Sequence, residues 1–288
     1  MAQASNRLGI LLMCLTTFVF AMQDGISRFL AEEYNLFLVI MIRYWFFAAF
    51  VLVLAQRAAG IRKMARTKFP LMQIFRGALL AAEIIVTVLA FTLLGLTETH
   101  AIFVCYPLMI AALSGPILGE KVGWRRWAAI GAGLVGVLII LQPGVGVFSP
   151  LATVPLLGAA MFAVYGLATR YVAREDDAMT SFFYTGVVGC VVMTAIGVFH
   201  WEVMTGTHLI WMAILCCSGV FGHWLLIKTY EVAEASAVQP FAYLQLPFAA
   251  SLGILAFGET LRINVAVGAA IVVGAGLFTL WRERVSSD

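Results

Sequence analysis

Residues 106–120 read YPLMIAALSGPILGE, and residues 245–259 read QLPFAASLGILAFGE. Each stretch has a proline near its start, Pro107 or Pro247, and ends on a Gly-Glu pair. The two prolines are 140 residues apart and the two Gly-Glu pairs are 139 residues apart. Self-similarity at a nearly fixed offset is the signature of an internal duplication. The sequence therefore predicts two copies of one structural unit.

A third landmark supports the duplication. Ser27-Arg28-Phe29 matches Thr169-Arg170-Tyr171 at an offset of 142 residues. We assign the two units to residues 1–144 and 145–288.

The composition indicates a membrane protein. Of 288 residues, 62% are hydrophobic and 11% are charged, and the mean hydropathy is +0.99. Soluble domains are about 45–50% apolar and about 25% charged. A soluble enzyme and a disordered chain are thus disfavoured, and a net charge of +3 is too small for a nucleic-acid binder.

Ten apolar runs have lengths suited to crossing a bilayer, which takes about 20 residues. They are residues 8–30, 36–57, 70–94, 98–118, 124–141, 151–172, 180–199, 208–229, 234–257 and 263–281. Five spans per unit is an odd number, so the second unit would enter the membrane from the opposite side. The predicted fold is an all-α polytopic membrane protein with ten transmembrane helices in two inverted five-helix repeats. Such repeats are typical of secondary transporters, whose substrate site lies at the repeat interface.

The distribution of lysine and arginine predicts the orientation. With the N-terminus inside, fourteen of these residues flank the spans on the cytoplasmic side, whereas only Arg28 and Arg262 lie on the other side. Cytoplasmic loops of membrane proteins carry such an excess. Both termini are therefore expected in the cytoplasm.

Two five-helix halves, each with a proline-containing fourth helix, a Gly-Glu turn and a Gly-rich fifth helix, resemble the EamA-type exporters of the drug/metabolite transporter superfamily. The Gly-rich segments are Gly131–Gly136 and Gly268–Gly276, and the resemblance covers essentially the whole chain. It implies a bacterial inner-membrane exporter of small metabolites, often amino acids, that uses no ATP.

No enzyme motif stands against this interpretation. Gly131–Gly136 fits G-x-G-x-x-G, but a dinucleotide fingerprint must follow a strand in a soluble unit, and small residues in an apolar helix favour close packing. The sequence contains no H-E-x-x-H or G-x-S-x-G, and its five cysteines have no metal-ligand spacing. We expect neither a catalytic residue, a metal nor a cofactor.

Prolines in corresponding spans predict hinges. They are Pro107 and Pro116 in the fourth span and Pro240 and Pro247 in the ninth. A proline inside a helix removes a backbone hydrogen bond, and matched interruptions point to a transporter site; the alternative is a plain kink in a packed bundle. Polar neighbours favour a cavity wall: Tyr106, Gln239, Tyr243 and Gln245.

Charges within spans are the sharpest signal, because each is costly unless paired or hydrated. Asp24 and Arg43 lie at almost the same predicted depth and could pair, and Glu83 lies within reach of Arg43. Arg76 is predicted on the same helix face as Glu83. These four side chains either bind the carboxylate and ammonium groups of a substrate or form a buried structural ion network.

Further candidates are weaker. His223 could serve in a proton relay, although a packing histidine is the simpler alternative. Tyr165 and Trp224 could line an aromatic wall that holds an ammonium group by cation–π contact. Glu120 and Glu259 follow glycines at helix ends, where each is predicted to cap the next helix.

The sequence therefore predicts a transporter that exports amino acids and related zwitterionic metabolites by alternating access of a central cavity. The alternative is an exporter of lipophilic cations or drugs. The expected partners are the small-molecule substrate and the lipid bilayer, and the oligomeric state is left open.

Overall fold

The computed structural model describes residues 2–57, 60–120, 123–141 and 150–285. These residues form helices joined by short turns, without a β-strand, which confirms the all-α prediction. The helices are α1 (Ala2–Glu33), α2 (Leu36–Arg57), α3 (Ile61–Met64), α4 (Pro70–Phe103), α5 (Tyr106–Leu118), α6 (Trp124–Leu141), α7 (Thr153–Val172), α8 (Ala178–Gly197), α9 (Thr207–Val232), α10 (Ala235–Ala242), α11 (Gln245–Phe257) and α12 (Ile263–Val285). The predicted boundary between residues 144 and 145 lies outside the described residues.

Six helical segments of the described chain are long and apolar enough to cross a bilayer. They are Arg7–Glu33, Leu36–Arg57, Pro70–Leu118, Pro150–Val172, Ala178–His200 and Thr207–Val232. Pro70–Leu118 has 49 residues and contains both the third and the fourth predicted span. Two shorter apolar helices, Gln245–Phe257 and Ile263–Ala275, follow later in the chain.

Gly95 separates the third predicted span from the fourth. Its backbone angles, φ 80° and ψ 174°, are non-helical and accessible almost only to glycine. The break leaves the N–H groups of Leu96 and Thr97 without partners in the preceding turn, so α4 consists of two helices that meet at an angle.

The fourth and ninth predicted spans are each interrupted again. The helix breaks at residues 104–105, just before Pro107, and at residues 243–244, just before Pro247. Both prolines then occupy the first turn of the next helix, where a missing N–H costs nothing. By contrast, α5 continues through Pro116 and α10 through Pro240. The interruptions therefore lie ahead of two of the four predicted hinge prolines.

The helices pack in a pattern that relates the two halves of the chain. Helix α1 packs along α9 and α11, while α7 packs along α4 and α5. Helix α2 packs against α8, and α6 against α12. If each of the first five predicted spans is exchanged with its counterpart among the last five, the contacts of α1 become those of α7, and the other two pairs are unchanged. A polar cavity lies where α1, α2, α4, α9 and α11 converge.

Candidate functional site

The cavity is small and mixed in character. Its polar lining consists of Gln23, Asp24, Arg43, Glu83, Thr87, His100, His223 and Gln245, and its aromatic lining of Phe20, Phe91, Phe103 and Phe162. Its volume is about 40 Å³, room for a few water molecules. Since small-molecule sites usually measure about 300–1,000 Å³, the surrounding helices must separate before a metabolite can enter.

Arg43 and His223 form the positive side of the cavity. Arg43 Nη2 lies 3.1 Å from His223 Nε2. A guanidinium only donates hydrogen bonds, so Nε2 accepts and the proton of His223 resides on Nδ1. Within the described chain this is the one hydrogen bond of Arg43, and four of its five N–H donors remain unpaired. His223 Nδ1 is likewise buried without a partner there.

Asp24 and Glu83 form the negative side. Asp24 Oδ2 lies 3.1 Å from His100 Nε2 and accepts a hydrogen bond of 3.0 Å from Gln245 Nε2. Glu83 Oε1 accepts a hydrogen bond of 2.6 Å from the Thr87 hydroxyl. The predicted pairing of Arg43 with Asp24 or Glu83 is wrong: among the described residues no ion pair joins them, because equal depth in the bundle does not turn two side chains toward each other.

A third acceptor lies beside Asp24. The Oε1 atom of Gln23 is buried and, in the part of the chain that the structure describes, has no hydrogen-bond partner. Folded proteins rarely leave buried polar atoms unpaired. Together with His223 Nδ1, this atom marks the cavity as a place for a polar ligand or ordered water.

Arg76, a predicted substrate ligand, does not line the cavity. It is fully buried, and all five of its N–H donors find acceptors. The acceptors are the side chains of Gln73, Tyr165, Thr169 and Thr185 and the carbonyl oxygen of Ser181. This network ties α4 to α7 and α8 and occupies the hydroxyl of Tyr165.

Four other predicted residues also lie away from the cavity lining. Tyr106 packs behind it, with ring centroids 5.0 Å from Phe103 and 4.9 Å from Phe162. Trp224 lines a separate apolar recess between α2, α8 and α9. Gln239 Nε2 donates to the Tyr230 hydroxyl and to the Ala235 carbonyl, and Tyr243 is buried at the second interruption.

The sequence interpretation missed several lining residues, of which Gln23, Thr87 and His100 are polar. His100 sits at the edge of the fourth predicted span, and only the break at Gly95 turns it toward α1. The sequence signal for His100 was an ionisable side chain near the start of a span that a proline interrupts. Gln23 could have been noticed as the direct neighbour of Asp24.

Glu259 connects three parts of the chain: α1, α4 and the turn after α11. In the turn after α11 its carboxylate accepts the N–H groups of Leu96 at 2.7 Å and Thr97 at 2.8 Å, and it pairs with Arg28 of α1. We call these four residues the Glu259 latch. The carboxylate thus caps the helix that restarts after Gly95, in the other half of the chain, and not the next helix as predicted.

Glu120 makes the equivalent contacts at the other position of the duplication. It accepts the N–H of Ala235 at 3.1 Å and lies 3.6 Å from Arg170 Nε. We call Glu120, Arg170 and Ala235 the Glu120 latch. Arg170 corresponds to Arg28 at the offset of 142, and Ala235 to Leu96 at the offset of 139, so the two latches are repeats of one device.

The environment of Glu259 favours its ionised form. Partial burial alone would raise the pKa of this carboxyl. Hydrogen bonds from Thr97 and Leu96 and the charge of Arg28 outweigh that effect, so the pKa lies below its ordinary value of 4.5. The latch is therefore charged at neutral pH.

Comparison with known proteins gives one family. The sequence model of the EamA-like transporter family matches residues 7–142 and again residues 151–281. An S-adenosylmethionine uptake transporter of Rickettsia prowazekii is 25% identical over 96% of this chain and 94% of its own length. A riboflavin transporter of Vibrio cholerae is 27% identical over 96% of this chain and 95% of its own length. A solved crystal structure with 17% identity has the same fold, with a TM-score of 0.71 over 99% of both chains.

Proposed function

The chain belongs to the EamA-like transporter family, and on that premise we propose that it carries a zwitterionic metabolite, an amino acid or an amino-acid derivative, through its central cavity. It is a multi-pass membrane transporter of small metabolites and not an enzyme. The proposal concerns the substrate, the route and the direction.

The observation that carries the substrate class is the separation of charge across the cavity. The free N–H groups of Arg43 and the Nδ1–H of His223 would bind a substrate carboxylate. The carboxylates of Asp24 and Glu83 and the free Oε1 of Gln23 would bind its ammonium group. Charge-assisted hydrogen bonds of this kind are stronger than neutral ones, so a molecule with both charges satisfies both sides.

The relatives' names are compatible with this chemistry. S-adenosylmethionine, named for the Rickettsia relative, contains an α-amino carboxylate and a cationic sulfonium. The four phenyl rings of the lining offer faces for apolar or cationic substituents. Riboflavin, named for the Vibrio relative, lacks the amino-acid group, and this chain's arginine and carboxylates would serve it less well.

The proposed architecture is ten transmembrane helices in two inverted repeats, residues 1–144 and 145–288, in a bacterial inner membrane with both termini cytoplasmic. The matched helix contacts and the lysine and arginine distribution support it. In this orientation the Glu259 latch faces the outside and the Glu120 latch faces the cytoplasm. Opening the latches in turn, with bending at residues 104–105 and 243–244, would expose the cavity alternately.

The direction of transport follows from the gradient in such a mechanism. We propose export of amino acids, as the sequence resemblance implies. The name of the Rickettsia relative specifies uptake, so the experiment must measure both directions.

The proposal is tested by counterflow in liposomes that contain the purified protein, with labelled amino acids, S-adenosylmethionine, riboflavin and tetraphenylphosphonium as probes. Arg43→Gln and Glu83→Gln should each abolish flux of the zwitterions. Arg62→Gln, at an exposed position in α3, is the matched control and should leave flux unchanged. Export and uptake are separated by imposing the substrate gradient from either side.

A lipophilic-cation exporter is the second candidate, favoured by the two carboxylates and the phenyl rings in the lining. Flux of tetraphenylphosphonium alone, unchanged in Arg43→Gln, would replace the zwitterion proposal by this one.

A further inference from the structure

The pair of Asp24 and His100 presents a hydrogen-bonding conflict that one proton resolves. His100 Nδ1 lies 2.9 Å from the Leu96 carbonyl oxygen, which can only accept, so Nδ1 carries a proton. His100 Nε2 lies 3.1 Å from Asp24 Oδ2. A neutral imidazole would direct its lone pair at an ionised carboxylate, and two acceptors do not attract each other.

From this geometry we propose that Asp24 and His100 together bind one proton, which is taken up and released in the transport cycle. The proton belongs to the pair, as an imidazolium beside a carboxylate or as a neutral imidazole beside a carboxylic acid. Its use in transport rests on the proposed function, whereas its binding does not.

The surroundings of the pair favour a single proton at this place. His100 is 3% exposed, and the pair lines the cavity, where it can exchange with water. Gln245 Nε2 donates to the same Asp24 oxygen at 3.0 Å and lies at a longer distance, 3.4 Å, from His100 Nε2. Gln245 is the first residue of α11, the second helix of the ninth predicted span. Its contact with the pair therefore connects α11 to α1 and to the end of α4.

Three other ionisable groups line the same cavity, Arg43 from α2, Glu83 from α4 and His223 from α9. The next nearest elements carry Tyr106 on α5, Tyr243 after α10 and Arg28 one turn further along α1, all outside that lining. Arginines and phenols keep their protons near neutral pH, and His223 Nε2 already accepts from Arg43. Among the described residues that line the cavity, Glu83 is therefore the competing proton site, and it needs its own control.

The duplication makes the proton site one-sided. At the offset of 142 the position of Asp24 corresponds to Gly166, and at the offset of 139 that of His100 corresponds to Gln239. Neither residue titrates. The site therefore belongs to the half of the cavity next to the Glu259 latch.

The binding of the proton is tested without a substrate. Protein labelled with 15N-histidine is placed in lipid bilayers, and the protonation of its four histidines is followed by solid-state NMR from about pH 9 to about pH 5, the range in which histidines titrate. Infrared spectra of the same samples report any carboxylic acid. His100→Gln assigns the His100 signals, and His208→Gln, remote from the cavity, is the control.

We expect Nδ1 of His100 to stay protonated while the pair gains one proton, seen as protonation of Nε2 or as an acid carbonyl band. Asp24→Asn should remove that uptake, since the amide can donate to Nε2, and Glu83→Gln should leave it in place. The wild-type titration decides the matter even if a variant folds poorly. A His100 that keeps one proton throughout, with no acid band dependent on Asp24, overturns the proposal.

The coupling is tested in proteoliposomes with leucine and S-adenosylmethionine as probes. If one proton moves per substrate, a pH difference of one unit should drive an accumulation of about tenfold. Counterflow that does not respond to the pH difference overturns the coupling. Absence of counterflow with every probe would overturn the proposed function, while the spectroscopic titration would still decide the proton site.

Discussion

Replacing Glu259 by glutamine, and in a separate variant Glu120 by glutamine, is expected to open the cavity toward opposite sides of the membrane. The reason is the matched geometry of the two latches, which hold corresponding helix ends in the two halves. A glutamine keeps one acceptor oxygen, but it loses the charge and points an NH2 group at a donor.

The magnitude follows from the contacts. Glu259 loses charge-assisted bonds to two backbone N–H groups, at 2.7 and 2.8 Å, and its ion pair with Arg28. These contacts share one carboxylate and glutamine keeps one acceptor oxygen, so the net loss is that of about one charge-assisted bond, about 1.5–3 kcal/mol when buried. With both side chains 14% exposed, we take about 2 kcal/mol. The open population should then rise about thirtyfold. Glu120→Gln likewise weakens the bond to the Ala235 N–H, at 3.1 Å, and the contact with Arg170, at 3.6 Å, so its open population should also rise by more than about twofold.

The assay is the labelling rate of a cysteine in the cavity wall. Ile84 lines the cavity and is 7% exposed, so Ile84→Cys is introduced into a variant whose five native cysteines are replaced by alanine. An impermeant maleimide is applied from either side of oriented vesicles.

Glu259→Gln should accelerate labelling from one side and Glu120→Gln from the other. Glu98→Gln, which removes an exposed ion pair with Arg262, is the control and should change neither rate. If both latch variants accelerate labelling from the same side, or neither changes it by more than about twofold, the latches are not gates.

Four further outcomes are expected. Gly219→Ala should impair transport with little loss of stability, because the new Cβ would lie 2.7 Å from the flexible Arg43 Nε and displace it. Gly77→Ala, whose Cβ would meet Val188 Cβ at 2.9 Å, should instead lower the thermal unfolding temperature. Arg76→Gln should destabilise the protein by about 3–5 kcal/mol, since it breaks a fully buried network; denaturant unfolding that matches the wild type would contradict this. The Glu259 latch should be intact above the ordinary carboxyl pKa of 4.5 and weaken as the pH falls below it, because its folded pKa is depressed; cavity labelling from the same side as in Glu259→Gln should then rise.

The positions of the helices could be predicted because the signal is local. The runs 36–57 and 124–141 coincide with α2 and α6, since an uninterrupted apolar segment between charges has one stable conformation in a bilayer. The duplicated Gly-Glu motifs were likewise sufficient to predict the family. The partners of individual side chains were not predictable in this way. Periodicity gives the depth of Arg43, but its rotation toward His223, 180 residues away, depends on how two helices pack.

The two intramembrane arginines illustrate the same limit. From the sequence both were equal candidates for binding a carboxylate. Among the residues that the structure describes, Arg76 meets five acceptors on α4, α7 and α8, whereas Arg43 meets one. A buried charge is tolerated when its donors are satisfied, so the number of acceptors, which only the tertiary structure reveals, separates a structural arginine from one that is available to a ligand.

The proton site and the Glu259 latch share a residue, and this connection suggests how they act together. Leu96 donates its N–H to Glu259 and accepts the His100 Nδ1–H on its carbonyl oxygen. Asp24 and Arg28, one turn apart on α1, meet His100 and Glu259 respectively. Without the proton, the Asp24 carboxylate and the lone pair of His100 Nε2 would repel each other. This repulsion would move α1 away from the turn in which the Leu96 N–H donates to Glu259. Deprotonation should therefore weaken the Glu259 latch and leave the Glu120 latch intact. In double-mutant cycles on the cavity-labelling rate, the effects of Asp24→Asn and Glu259→Gln should be non-additive. The effects of Asp24→Asn and Glu120→Gln should be additive.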